Sequence, residues 1–284
     1  MTIKQLTNLI EEGQSLKLIS ETYTEIASSK LKHIRGLVEK NRFFLNDLST
    51  VYAVVKKVAT AKNILPAKNN KTVSILITSN YHFYGEINDK LIAFFQSFME
   101  KKQTDQIIIG KTALEWLQTK KYEKSYDSLM FVNDYPNAEE LNALVLKIKD
   151  YSQVLVFYSE LQSVMVQIPT YKDITQTAFL DLEKTQNGKS QIYIFEPEIE
   201  KIAIFFENQV NNLLLQQTFL ESDLSRTASR LLAMDKAQGN ADIYILENLR
   251  LLDMVKRNII NNRLIETTAA LISLKNKNTL YQMR

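Results

Sequence analysis

Both ends of the chain carry long runs of heptad-like apolar spacing with few capping residues, and they bracket a middle of different character. From Leu6 to Ala59 apolar residues recur at three- and four-residue steps, among them Leu6, Ile10, Leu16, Ile26, Ile34, Leu37, Val38, Phe44, Tyr52 and Val55, with charges on the other face. Gly13 and Gly36 are the only helix-weakening residues before Pro66. Unbroken, roughly 55 residues at 1.5 Å each give a rod of about 80 Å. After Pro197 the pattern returns in two stripes, one through Val210, Leu214, Leu220, Leu224 and Leu231, the other through Ile245, Leu249, Leu252, Val255, Ile259 and Leu264. Gly239-Asn240 lies between them, where an interruption or bend is expected. Two such termini around a globular insert fold back on each other as one antiparallel shaft.

The insert reads as α/β. Asn63–Lys71 is a linker by composition. Strands are expected at Val73–Thr78, Gln106–Ile109, Leu129–Val132, Val154–Tyr158, Val164–Ile168 and Gln191–Phe195, the last after a turn at Thr185–Lys189. Helices are expected at Asn88–Lys102, Thr112–Lys120 and Ala138–Tyr151, the last with Glu139 and Glu140 at its start and lysines near its end. The alternation predicts an open, Rossmann-like α/β sheet inserted into an antiparallel coiled coil. The expected segments are an N-terminal shaft helix over 1–64, an α/β foot over 65–196 and a C-terminal shaft helix over 197–284. A shaft with a foot suits a mechanical or scaffolding part better than a catalyst.

Composition agrees with that bias. Only 6 Gly and 4 Pro stand among 284 residues, which favours long helices over a loop-rich β fold. The net charge of +3 says little about partners. Without cysteine there is no disulfide, thiolate metal site or cysteine nucleophile. No apolar run approaches the roughly 18 residues that span a bilayer. The opening MTIKQLTNLIEEGQ carries acids and no apolar core, unlike a signal peptide.

Gly110-Lys111-Thr112 invites a phosphate-loop reading, but that motif needs a glycine where Asp105 stands, and the triplet follows its strand at once. A strand-to-helix turn is the better reading. His33 lies in a basic helical stretch and His82 in a loop, with no cluster to make either a metal ligand. The cationic run Lys30, Lys32, His33, Arg35, Lys40, Arg42 reads as a solvated helix face or a collar for an acidic protein. Exposed aromatics spaced to stack bases are not expected beside it, which counts against nucleic acid.

Several segments, in order, resemble the γ subunit of F-type ATP synthases, the central rotor shaft. Tyr23–Lys32 (YTEIASSKLK) resembles MEMVAASKMRK, and Val73–Asn88 resembles a strand and loop ending SDRGLCGGxN, keeping Ser79, Gly85 and Asn88. Ile108–Leu117, Phe157–Pro169 (FYSELQSVMVQIP), Tyr193–Pro197 (YIFEP) and Ser225–Ala237 (SRTASRLLAMDKA, against SEQAARMVAMKAA) continue the likeness. The resemblance implies a shaft inside a hexamer of alternating α and β subunits, with ATP and Mg held by those partners and no cofactor on this chain. It implies a foot that meets an ε-like subunit and a membrane ring or other driven machinery, and a peripheral place on the cytoplasmic face of a membrane. It implies partner contacts at Ser29, Lys30, Lys32, Arg35, Arg230, Met234, Lys256, Arg257, Asn261 and Arg263.

The departures are large. Tyr81, His82, Phe83, Tyr84 and Gly85 replace the family's Arg-Gly-Leu-Cys-Gly, and Val255-Lys256-Arg257 stands where the family has Ala-Arg-Gln. Family members end near Leu274, whereas Lys275–Arg284 extends further. These favour a divergent γ, including one whose ATPase drives something other than a proton ring, such as motility. A non-rotary coiled-coil adaptor that homodimerises through its stripes is the second reading. A small-molecule enzyme using the sheet is the third, and the missing glycine fingerprint counts against it.

Overall fold

The computed structural model describes residues 1–61, 69–120, 122, 124–175 and 198–282. The expected strand at Gln191–Phe195, the turn at Thr185–Lys189, the YIFEP segment and most of the linker lie outside them. The elements are α1 (Ile3–Ala61), β1 (Asn69–Ile77), α2 (Ile87–Lys101), β2 (Asp105–Ile109), α3 (Lys111–Thr119), β3 (Asp127–Leu129), α4 (Ala138–Ile148), β4 (Tyr151–Ser163), β5 (Val166–Asp173) and α5 (Ile199–Gln282). The chain packs as two compact units: Ile26–Ala233, and Met1–Glu25 with the chain from Met234 on. The expected segments follow changes of sequence period, whereas these units cut both long helices.

In the larger unit the sheet order is β3-β2-β1-β4-β5. β1 pairs in parallel with β2 and β4, β2 in parallel with β3, and β5 runs antiparallel to β4 as a hairpin edge. Parallel strands covered on both faces read as nearly continuous apolar runs, as Val73–Ile77 (broken only by Ser74) and Val154–Tyr158 do. One face packs on α2 and α3 through Leu76, Ile108 and Phe157 against Leu91, Phe95 and Leu117. The other packs on α4 and on the α1/α5 pair through Ile75, Ile109 and Val156 against Leu144, Tyr52, Leu214 and Phe219. Within this unit α1 and α5 run antiparallel: Ile34 and Val38 meet Leu220 and Leu224, and Val55 and Ala59 meet Ala203.

Several strand and helix ends differ from expectation; β4 (Tyr151–Ser163) and β5 (Val166–Asp173) run beyond the expected Val154–Tyr158 and Val164–Ile168 because they pair along one antiparallel ladder. The third strand sits at Asp127–Leu129, not Leu129–Val132. Asn80 Nδ2 donates to Phe131 O and Val132 N donates to Glu140 Oε1, so the later backbone is bonded away from the ladder. α4 stops at Ile148, because Tyr151 already pairs with Asn69 at the start of β4. Its start is a full capping box, Asn137 with Glu140.

In the smaller unit the first turns of α1 lie antiparallel to α5. Leu6 and Ile10 pack with Ile245, Leu252 and Val255, Lys17 Nζ lies 2.8 Å from Asp242, and Gln238 Nε2 donates to Glu21 Oε1. Gly13 marks the closest approach, where a Cβ would stand 2.8 Å from Ile245 Cγ1. The glycine weakens the helix but lets its neighbour in. α1 also begins better capped than its sequence suggested, since Thr2 and Gln5 exchange backbone-to-side-chain hydrogen bonds. α5 runs without a break through Gly239-Asn240, where both residues are exposed.

Candidate functional site

Open α/β sheets hold ligands outside the carboxyl ends of their strands, where a helix N-terminus offers free amides to phosphate. Here those amides are taken by the chain itself. Lys111 N donates to Asn80 Oδ1, Thr112 N to Ser79 O at 3.0 Å, and Ala113 N to Thr78 Oγ1. Gly110 has φ +102, and a Cβ on it would lie 2.6 Å from Thr78 O, so only glycine fits the turn. Gly110-Lys111-Thr112 is thus a tight strand-to-helix turn closed by residues 78–80.

The same strand ends are held by α5. From Gln217 to Ala228 every residue of α5 is buried, yet eight of these twelve are polar. Buried polar groups must be hydrogen-bonded or they destabilise the fold. Glu221 Oε1 accepts from Arg42 of α1 (Nη2 at 2.7 Å) and from Gln217 Nε2, and Glu221 Oε2 accepts from the Tyr158 hydroxyl of β4 at 3.1 Å. Burial alone raises the Glu221 carboxyl, but the hydrogen bonds from Gln217 and Arg42 and the charges of Lys172 and Arg42 outweigh it and hold the group below the ordinary carboxylate value. The Tyr158 hydroxyl is pushed up, first by burial and then by the Glu221 charge.

One turn on, the fully buried Arg226 donates to Thr78 O, Ser222 Oγ and Asp134 O. Asp134 in turn accepts from Asn80 N at 2.6 Å and from the Tyr84 hydroxyl. Ser229 Oγ donates to Tyr84 O, and the Arg230 guanidinium lies 3.9 Å from the Tyr84 ring centroid while donating to His82 O. The divergent loop at 81–85 is therefore fastened to α5 directly by Ser229 and Arg230 and, through Asp134, by Arg226; of these, sequence reading had singled out Arg230 alone, and as a contact for a partner subunit. The one signal available was polar residues at positions where the apolar stripe was due.

The expected contact residues fall into three groups. Ser29, Lys32 and Arg35 are exposed on α1, with Arg35 paired to Glu39 of its own helix. Lys30 pairs with the buried Asp223 at 2.9 Å, and Arg230 stacks on Tyr84, so both charges are engaged inside the larger unit. Beside Lys30 opens a groove of about 480 Å³ lined by apolar Ile34, Leu37, Phe44 and Leu220 and by Lys30, His33, Lys40 and Asp223. In the smaller unit Met234 is buried, whereas Lys256, Arg257, Asn261 and Arg263 are exposed. Every residue from Lys256 to Ile272 is exposed, including Ile260 at 57%, Ile265 at 67% and Leu271 at 67%. Among the described residues no helix is long and apolar enough to cross a membrane.

A family model for ATP synthase matches residues 2–273. The ATP synthase gamma chain of Staphylococcus saprophyticus is 25% identical over 258 residues, covering 86% of this chain and 89% of its own. That of Lawsonia intracellularis is 26% identical over 283 residues, covering 96% and 94%. Among solved structures, the central stalk/c-ring structure of the Tetrahymena thermophila mitochondrial ATP synthase holds a chain of similar fold, with TM-score 0.59 and 19% identity over 77% of this chain and 99% of that one. A chain of the Euglena gracilis mitochondrial enzyme, in its OSCP/F1/c-ring structure, gives TM-score 0.55 at 16% identity over 87% and 95%.

Proposed function

The chain belongs to the ATP synthase gamma family, and from that premise we propose that it is the central-stalk rotor subunit of an F-type ATPase, passing torque between an α/β catalytic hexamer and a driven element. One observation carries the reading: among the described residues nothing covers α5 from Lys256 to Ile272, where Ile260, Leu264, Ile265 and Leu271 stand exposed. Exposed apolar patches of this kind mark interaction sites. A sleeve of partner subunits supplies the missing cover. The chain contributes no catalytic group and no nucleotide site on this reading, since the strand ends that serve ligands in other α/β sheets are closed by residues 78–80 and Arg226. ATP and Mg belong to the partners.

The exposed cations Lys32 and Arg35, with His33 and Lys40 of the groove, suit an acidic segment of a β subunit. Lys256, Arg257, Asn261 and Arg263 suit the inner wall of the hexamer. The foot meets an ε-like subunit and the driven element, and the assembly sits peripherally on the cytoplasmic face of a membrane. A native pull-down of the tagged chain tests this. α and β subunits are expected in the eluate. A proton ring with them makes the complex an ATP synthase, and its replacement by other proteins makes it a repurposed rotary motor. An eluate free of α and β sinks the rotor reading. Cross-links from Arg257 and Arg263 that avoid β overturn the placement of the contacts.

A further inference from the structure

Apolar contacts are non-directional, so surfaces held by them alone resist separation better than sliding. Hydrogen bonds weaken steeply with misalignment and so resist sliding and rotation. The buried stretch of α5 between Gln217 and Arg226 adds the second kind of contact to the apolar packing of Phe219, Leu220 and Leu224. Through Glu221 it grips Arg42 of α1 and Tyr158 of β4. Through Arg226 it grips the end of β1 at Thr78 O and the segment before α4 at Asp134 O. Asn41 adds a bond to Gln217 at 2.8 Å. Replacing a buried polar cluster of this kind by apolar residues of similar volume is often neutral or stabilising. Stability therefore does not explain why this turn is polar.

We propose that the turn is a mechanical key, in which Glu221 and Arg226 are positioning residues that lock the α/β sheet to the α1/α5 pair against slippage. The inference rests on the rotor reading and adds the residues through which torque leaves the helices for the sheet. It separates stiffness from stability, and the two are measured apart.

The chain has no cysteine, so Lys149→Cys on the exposed end of α4 gives a single attachment point for a bead on the α/β layers. The complex with its α and β subunits is held at low ATP, and the angular fluctuation of the bead during dwells is read. In the apolar variant carrying Glu221→Met, Arg42→Met and Tyr158→Phe, the fluctuation variance is expected to rise about twofold or more as these directional bonds are lost. The variant stays folded, and unloaded ATP hydrolysis stays at the parent level. A folded variant whose variance equals the parent's overturns the key. Should the triple variant not assemble, Tyr158→Phe alone decides, because it removes one hydroxyl from the link between sheet and α5; no rise in variance there overturns the proposal equally. A parent complex whose bead never rotates contradicts the rotor reading instead, which keeps the two failures distinct.

Discussion

Among the described residues one helix, α5, contains both the longest buried stretch and the longest exposed one, and hydrophobicity ranks them the wrong way round. Gln217–Ala228 is polar at eight of twelve positions and buried throughout. Lys256–Ile272 is apolar at eight of seventeen positions and exposed throughout. In the first stretch the environment comes from within the chain: α1, β4 and the loops at the strand ends supply a partner for Glu221, Asp223 and Arg226. In the second nothing among the described residues covers Ile260, Leu264 or Leu271. Burial reports what surrounds a residue, and for a part built to work inside an assembly some of those surroundings belong to other chains.

The contrast predicts opposite responses to substitution. The largest effect on the chain's own stability is expected at Arg226→Ala, which leaves a cavity and strips Thr78 O and Asp134 O of their donor. The loss should be about 3 kcal/mol, read from the urea midpoint. A loss under about 1 kcal/mol, the size of a surface effect, breaks the claim that the polar turn is held from within. Gly13→Leu in the smaller unit comes next, because the added side chain must displace Ile245 and Tyr244. Overpacking of this kind costs about 1–3 kcal/mol and should appear as lower helical content on heating.

At the exposed stretch, the pair Ile260→Ser and Leu264→Ser should change the chain's own unfolding free energy by no more than about 0.5 kcal/mol. The same pair should lower the recovery of α and β subunits in the pull-down. Equal losses of stability at both ends of α5 contradict the comparison.

The smallest effect concerns pH. The Glu221 carboxyl is held below its ordinary value in the fold, so its contribution is fully present above the unfolded carboxylate value and is lost as pH falls through the lowered folded value. Glu221→Gln should therefore flatten the acid limb of a stability–pH curve and leave its shape near neutrality unchanged. An unaltered acid limb shows that another group sets it.

Much of the architecture was legible without coordinates. The three- and four-residue spacing marked α1 and α5, and the apolar runs at Val73–Ile77 and Val154–Tyr158 marked the two central strands, because period and run length are local properties that survive any tertiary context. Asp105 in place of a glycine was enough to reject a phosphate loop at Gly110-Lys111-Thr112, and the coordinates add that Thr78, Ser79 and Asn80 occupy its amides. The end of α4 and the position of β3 were misplaced by a few residues, since each was decided by a partner distant in sequence, Asn69 in one case and Asn80 in the other.

The candidate contact residues show the same division. Exposure of Lys32, Arg35, Arg257 and Arg263 follows from charge on a helix surface. That Lys30 is paired with Asp223 and that Met234 is buried does not, because neither depends on its own neighbours in the chain. By itself, then, the sequence determined two long terminal helices, an inserted α/β sheet, the absence of a glycine phosphate fingerprint and membership in a family of rotor shafts, all of which are written in spacing and order. Only the tertiary structure decided that Glu221 and Arg226 knot helix to sheet while the more apolar end of the same helix stays bare, because the groups that meet them, on Arg42, Tyr158, Thr78 and Asp134, lie far from them in the chain.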